Sequence, residues 1–388
     1  MPPNTMTPNT MTPKGHLAVS KIAIIGCGGF IGSHLLDALL LYPGLELVGW
    51  DPFDTKIKQH IDRPEFSFKR SSLRERNAWN KIKRDIENAD VVINLASLCL
   101  PFEYSNDPIT SIRGNFIDIY PLVEACAERQ KWLIHFSTSE VYGRTIASYL
   151  PGNEYDDPDL YELDEDQTPL IMGPIRNQRW TYACAKQLLE RYIFAHGTKL
   201  DLPFTILRPL NFFGPRMDFI PGRDGFGVPR VLASFMTALL DGKPMLLVDG
   251  GRSRRTILSI HDAVRAILLM LEKPDKAKNQ IFNIGSRDNE VTISELAHLM
   301  RKIYAEVSGD PSYNNHAIQS VSSKEYYGKG YEDCDRRMPS VRRAYELLGW
   351  TAEVPLEDIL KETIEYYYGL FGFKWGKSRG TATCSGQA

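Results

Sequence analysis

The apolar and polar positions of the chain fall first into a strand, a turn and a helix. Lys21 to Ile25 is a short β-branched apolar run, the pattern of a strand buried on both faces in a parallel sheet. Glycines follow at 26, 28, 29 and 32, and "SHLLDALLLY" then reads as a helix. The next run, "LELVGWD", predicts a second strand that ends in Asp51. Further along, "QRWTYACAKQLLERY" (178–192) predicts a helix that places Arg179, Tyr182 and Lys186 at three- and four-residue spacing, as neighbours on one face. No stretch reaches about 18 apolar residues without a charge, so no membrane-spanning helix is expected. The first 20 residues, with their repeated "MTPNT", and the last 13, "GKSRGTATCSGQA" (376–388), are expected to be a disordered leader and tail.

Composition narrows the classes. The chain has 388 residues, 43% of them apolar, which is ample for a buried core. Its net charge of −2 gives no global field for nucleic acid or an acidic membrane, and nothing in its motifs supports nucleic-acid binding. The six cysteines are dispersed and form no C-x-x-C pair. That pattern predicts reduced thiols in a cytoplasmic protein and no metal site.

Strand, glycine turn and helix together are the opening of a dinucleotide-binding unit. The glycines allow the tight turn and the approach of a pyrophosphate, and the helix N-terminus supplies free N–H groups. Asp51, 19 residues after Gly32, can accept hydrogen bonds from the adenosine ribose hydroxyls. A carboxylate there would repel a 2′-phosphate, so the expected cofactor is NAD. Gly26, Gly29, Phe30, Ile31 and Gly32 are the expected cofactor contacts. In the 178–192 helix, an ammonium beside a phenol favours the phenolate. Lys186 is therefore expected to pull the Tyr182 pKa below its usual value of about 10 and make it an acid–base group.

The G-x-x-G-x-x-G spacing of Gly26, Gly29 and Gly32, with "YACAK" about 150 residues later, resembles the extended short-chain dehydrogenase/reductase family. Further pieces follow in the family's order. "ADVVINLAS" (89–97), "WLIHFSTSEVYG" (132–143) and "FTILRPLNFFGPR" (204–216) look like the fourth, fifth and sixth strands, the first with a loop that passes the cofactor at Leu95 and Ala96, and "IFNIG" (281–285) like a return to the same sheet. The resemblance implies a doubly wound parallel α/β sheet over residues 21–210, with a return near 256–285. A smaller C-terminal α/β nucleotide-sugar region would span 211–255 and 286–375. It also implies a homodimer through the helices carrying Asn115 and Tyr182.

Four longer segments closely resemble the plant UDP-apiose/UDP-xylose synthases and the decarboxylase domain of the bacterial polymyxin-resistance enzyme. They are "GPIRNQRWTYACAKQLLERYIFAHG", "GPRMDFIPGRDGFGVPRVLASF", "LLVDGGRSRRTI" and "VSSKEYYGKGYEDCDRRMPSV". Both relatives act on UDP-glucuronic acid. The resemblance implies oxidation at the sugar C4, loss of CO₂ from the resulting β-keto acid, and re-reduction. Tyr182 and Lys186 would be the acid–base pair and also contact the cofactor, Lys186 at the nicotinamide ribose; Thr138 or Ser139 would bond O4, and Glu140 would be an acid/base at the ring. Arg179 and Arg337 would hold the substrate carboxylate, a task that suits the planar guanidinium fork. Cys99 and Tyr104 match residues of the plant enzymes, and Asn211, Arg230, Arg255 and Tyr327 match positions near the UDP.

Three departures stand out. Ser139 occupies a position that is cysteine in the plant enzymes, and Leu100 one that is threonine in both relatives; both bear on the apiose branch. Ser72 replaces the polar Asn or Asp that usually holds the adenine. Three other readings compete: an oxidative decarboxylase that releases NADH and a 4-keto pentose, a C4 epimerase, and a non-catalytic NAD-bound scaffold.

Overall fold

The computed structural model describes residues 17–99, 104, 106–150, 157–225, 227–327, 334 and 336–372, with the backbone only at Tyr327. The expected leader up to residue 16, Leu100, the Tyr327 side chain and the expected tail lie outside the described residues.

Seven strands form one sheet: β1 (Lys21–Ile25), β2 (Glu46–Asp51), β3 (Phe66–Arg70), β4 (Val91–Asn94), β5 (Trp132–Phe136), β6 (Phe204–Pro209) and β7 (Gln280–Ile284). Their order is β7-β6-β5-β4-β1-β2-β3, and every neighbouring pair is parallel. β4 and β5 are buried at every residue, as their mostly apolar sequences require, and the two polar exceptions, Asn94 and His135, hydrogen-bond each other at 3.0 Å. This is the expected doubly wound sheet, and β7 is the expected return of the 281–285 segment.

Alternation along each strand feeds two cores. Ile22, Ile24, Ile93 and Ile134 face helices α1 (Phe30–Leu39) and α6 (Ile260–Glu272). Ala23, Ile25, Val92 and Leu133 face α2 (Trp79–Asn88), α3 (Tyr120–Glu128) and α4 (Thr181–Leu200). A third cluster joins α5 (Val231–Asp241), α7 (Ile293–Ser308) and α8 (Leu356–Phe371). Ala344, Leu348 and Trp350 fall inside the stretch expected to serve the nucleotide sugar, yet they pack into the first core. The Trp350 indole N–H donates to the Asp262 carbonyl of α6 at 2.9 Å.

The chain crosses from β3 back over β1 and β2 to β4. The order therefore reverses between β1 and β4, where a doubly wound sheet opens a ligand crevice beyond its strand ends. The residues just past β1 and β4 meet there: Leu95 N–H donates to the Ile25 carbonyl at 2.8 Å.

Candidate functional site

A cleft of ≈ 980 Å³ opens at this crevice, a volume suited to a large ligand or two smaller ones. Its floor is the glycine turn. Gly26 has φ +91°, and a Cβ there would lie 2.8 Å from the Ala96 nitrogen. At Gly32 a Cβ would lie 2.4 Å from the Gly26 carbonyl oxygen and 2.7 Å from Cys27. Both positions are glycine because backbone packs against backbone. Gly29 differs: it begins α1 with ordinary dihedrals, and a Cβ would meet only the Gly26 oxygen at 3.4 Å, an ordinary contact. Protein packing does not require glycine there, and Gly29 lines the cleft. A ligand that must reach the backbone at the N-terminus of α1 does require it.

Asp51 ends β2, buried behind this turn. Its carboxylate accepts from Gly28 N–H at 3.0 Å and Phe53 N–H at 2.8 Å, and burial pushes its pKa up. Two accepted bonds leave lone pairs for a ribose hydroxyl. Phe30, Ile31 and Leu95 line the cleft with the glycines. Ala96 stands behind Gly26, with its N–H donating to Asn94 at 3.2 Å.

The opposite wall carries most of the expected chemistry. Thr138, Ser139 and Glu140 leave the end of β5, and the Thr138 hydroxyl accepts from Glu140 N–H at 3.1 Å. Tyr182 and Lys186 lie on α4, both buried. Arg179 is not on that helix; it sits in the preceding short turn, Gln178–Trp180, capped by Asn177. The Tyr182 phenol lies beside the side chains of Cys99, Ser97 and Thr138. Its ring stacks on that of Tyr104 with centroids 4.6 Å apart, and the Tyr104 hydroxyl reaches the Cys99 sulfur at 3.5 Å. Asn115 fixes this loop: its side chain accepts from the Ser97 hydroxyl at 2.7 Å and Leu98 N–H at 3.1 Å. It does so from a π-turn, Arg113–Ile117, a local irregularity common at functional sites.

One expectation is reversed. Burial, followed by the Cys99 thiol, pushes the Tyr182 pKa well above its ordinary value, against weaker lowering by Ser97 and Thr138. Lys186 does not offset this. Its ammonium donates to the Phe136 carbonyl at 2.7 Å, and burial lowers its own pKa to about 8. Desolvation of the phenol outweighs the neighbouring ammonium, a contest that residue spacing does not reveal.

The ion pairs hold a second surprise. Arg179 Nη2 lies 2.9 Å from Glu140 Oε2, and Arg337 Nη1 binds Glu140 Oε1. Both arginines expected to hold a substrate carboxylate thus hold a carboxylate of the chain itself. Burial alone would raise the Glu140 pKa, but the two guanidinium groups keep it well below the carboxylate range. Arg337 also donates to the Gly143 carbonyl at 3.0 Å. Arg337 does not line the cleft; its neighbour Arg336 does.

At the far end, Asn211, Arg230 and Arg255 line the cleft as expected. Arg230 is braced by buried Asp218, which accepts from its backbone N–H at 3.0 Å and its Nε at 3.3 Å. Arg255 donates to the Cys334 carbonyl at 2.8 Å. Arg252 and Arg254 stand on the same wall.

Several residues escaped the sequence reading. Ser97 and Arg336 are in the cleft itself. Buried Arg208 binds Glu190 at 3.1 and 2.7 Å and the Tyr142 hydroxyl at 2.8 Å, which ties α4 to the Glu140 turn. Glu190 follows Tyr182 and Lys186 at four-residue intervals on the same helix face, a signal the spacing did contain.

Comparison with known proteins fits this geometry. The model of the NAD dependent epimerase/dehydratase family matches residues 22–285. The chain belongs to this family. It is 47% identical over 359 residues to the UDP-D-apiose/UDP-D-xylose synthase of Oryza sativa subsp. japonica, covering 91% of this chain and 90% of that one. It is 46% identical over 358 residues to UDP-D-apiose/UDP-D-xylose synthase 1 of Arabidopsis thaliana, covering 89% and 91%. Among solved structures, the PbgP3 protein from Burkholderia pseudomallei superposes with a TM-score of 0.76 at 28% identity, over 91% of this chain and 98% of that one. The family's cofactor is NAD, and the cradle at Gly29, with Asp51 beyond it, fits that dinucleotide.

Proposed function

We propose that the protein is an NAD-dependent enzyme that decarboxylates UDP-glucuronic acid to UDP-xylose, UDP-apiose or both. The observation that carries this reading is the wall opposite the glycine turn. An acid–base pair, Tyr182 and Lys186, stands beside two buried arginines that already bind a carboxylate, in a chain 47% identical to a UDP-D-apiose/UDP-D-xylose synthase. When bound, NAD⁺ supplies the hydride acceptor for the sugar C4, the positive charge that favours a phenolate, and the hydride for the final reduction.

The chain's residues do the rest. Tyr182 takes the O4 proton, with Ser97, Thr138 and Ser139 fixing the hydroxyl. The C4 ketone lies β to the carboxylate, so the electrons released with CO₂ have an acceptor. Arg179, which lines the cleft, orients the carboxylate for that loss, while Arg337 holds Glu140 from behind. Glu140 moves protons at the ring, and Cys99 with Tyr104 borders the same space. Gly26, Gly29, Phe30, Ile31, Gly32, Asp51, Leu95 and Ala96 hold the dinucleotide. Asn211, Arg230, Arg255 and Tyr327 serve the UDP, with guanidinium groups suited to a diphosphate.

We assign residues 21–210 and 256–285 to the NAD half, together with the 344–350 stretch that packs into its core, and 211–255 with the remainder of 286–375 to the nucleotide-sugar half. A homodimer through α4 is supported by Ile109, Ile112, Ile117 and Leu188, all exposed on α4 or on the turns packed against it. A cytoplasmic setting is supported by the five described cysteines, none of which is joined in a disulfide. Among the described residues, no helix is long and apolar enough to cross a membrane.

The decisive experiment follows UDP-glucuronic acid with catalytic NAD⁺, reading products by NMR and NADH by absorbance. Pentose nucleotides without NADH accumulation are expected. Stoichiometric NADH with a 4-keto pentose would instead establish an oxidative decarboxylase. A retained carboxylate with inverted C4 would establish an epimerase, and no turnover at all would overturn the proposal.

A further inference from the structure

The two arginines that embrace Glu140 are not equivalent. The Arg179 side chain lines the cleft, and its guanidinium packs over the Trp180 and Tyr104 rings, 5.1 and 5.9 Å from their centroids. Arg337 is 5% exposed, does not line the cleft, and is anchored to the Gly143 carbonyl at 3.0 Å. Gly143 cannot give way: it has φ +69°, and a Cβ there would lie 1.7 Å from the Ile171 carbonyl oxygen. Glu140 lies between them, 20% exposed and itself on the cleft wall. It is thus held from the protein side by Arg337 and from the cleft side by Arg179.

We propose that Glu140 is an internal stand-in for the substrate carboxylate. It occupies Arg179 until a uronate enters and displaces it, while Arg337 stays with Glu140 as a positioning residue. The inference rests on the proposed function and refines it. A buried guanidinium left without a counter-ion is costly, and Glu140 keeps Arg179 paired in the free enzyme. A sugar without a carboxylate has nothing to exchange for that ion pair, so Glu140 stays locked as a carboxylate with two cations. A uronate completes the exchange. Glu140 then keeps one cation instead of two, and burial moves its carboxyl back toward a value useful for proton transfer. The acid/base would thus be released by the substrate class on which it acts.

Binding measurements test the exchange without turnover. The protein is loaded with NADH, which cannot accept a hydride, and titrated calorimetrically with UDP-glucuronic acid and with UDP-glucose. Glu140→Gln removes the internal competitor, so UDP-glucuronic acid should bind roughly tenfold more tightly than to the wild type, and UDP-glucose equally. Should Glu140→Gln fold poorly once both arginines lose its charge, Glu140→Gln combined with Arg337→Met restores the charge balance and should show the same selective tightening. Unchanged or weaker binding of UDP-glucuronic acid to both variants would overturn the exchange. So would loss of its binding only when Arg337 is removed, which would make Arg337 the carboxylate's partner. Failure of the wild type to bind either nucleotide sugar would instead overturn the proposed function itself, and the exchange with it.

Discussion

The two walls of the cleft hold their shape by opposite means. The glycine turn is built from backbone packed against backbone, and its one conspicuous side chain, Asp51, is held by two amide N–H groups. The facing wall is built from buried ionised and ionisable side chains: Glu140 between two arginines, Lys186 against a carbonyl, and Arg208 with Glu190. The first wall tolerates no added atoms at Gly26 and Gly32, and backbone amides hold its one carboxylate. The second tolerates changes of shape better than changes of charge. Binding a rigid, invariant dinucleotide suits the first construction. Moving protons on a sugar suits the second.

The largest effect expected on the charged wall is the loss of Tyr182. Tyr182→Phe keeps the stack on Tyr104 but removes the group that takes the O4 proton. Turnover should fall by about 10³-fold with little change in substrate affinity. Near-normal turnover, measured by product NMR, would remove the central assignment.

On the glycine wall the prediction is a contrast between neighbours. Gly32→Ala forces a Cβ to within 2.4 Å of a carbonyl oxygen and should cost about 2–3 kcal/mol of stability in denaturant unfolding. Gly29→Ala meets no such obstacle and should leave stability unchanged while weakening NAD binding on the order of tenfold. Equal stability losses in the two variants would mean that Gly29 is structural, and the case for a ligand-facing cradle would fall.

That contrast also marks how far the sequence could be read. The glycine turn, Asp51 and the Tyr182–Lys186 pair were legible because each depends on spacing within one or two elements. The ion triad was not, because Arg337 lies 197 residues from Glu140 and meets it only when the chain returns beside the Glu162–Leu163 segment. Residue types told that arginines stand near a carboxylate, but not whose carboxylate. The direction of the Tyr182 shift was lost for a similar reason: burial decides it, and burial belongs to the assembled fold. The Arg208–Glu190 pair had a helical signal in Glu190, yet its partner lies on a strand.

A smaller effect should appear in acid. The folded state holds the Glu140 pKa well below the ordinary 4.5. The triad's contribution to stability is therefore full above that value and is lost as pH falls below it, where the unfolded chain takes up the proton first. Unfolding measured from pH 6 to pH 3 should show a steeper loss for the wild type than for Glu140→Gln. Parallel slopes would mean that the triad adds little net stability, as buried ion pairs sometimes do.

The smallest effect separates function from stability on the same residue. Burial lowers the Lys186 pKa to about 8 from 10.5, so above about pH 8 the ammonium loses its proton and its charge. Turnover should fall through that point, by about twofold at the midpoint. Stability should move the other way. Between about 8 and 10.5 the unfolded chain binds the proton that the folded chain has released, so the folded state gains as pH rises. Lys186→Arg carries a charge that does not titrate in this range, and it should lose both trends together, whatever its absolute rate. If the alkaline fall in turnover persists in Lys186→Arg, the titrating group lies elsewhere on the charged wall.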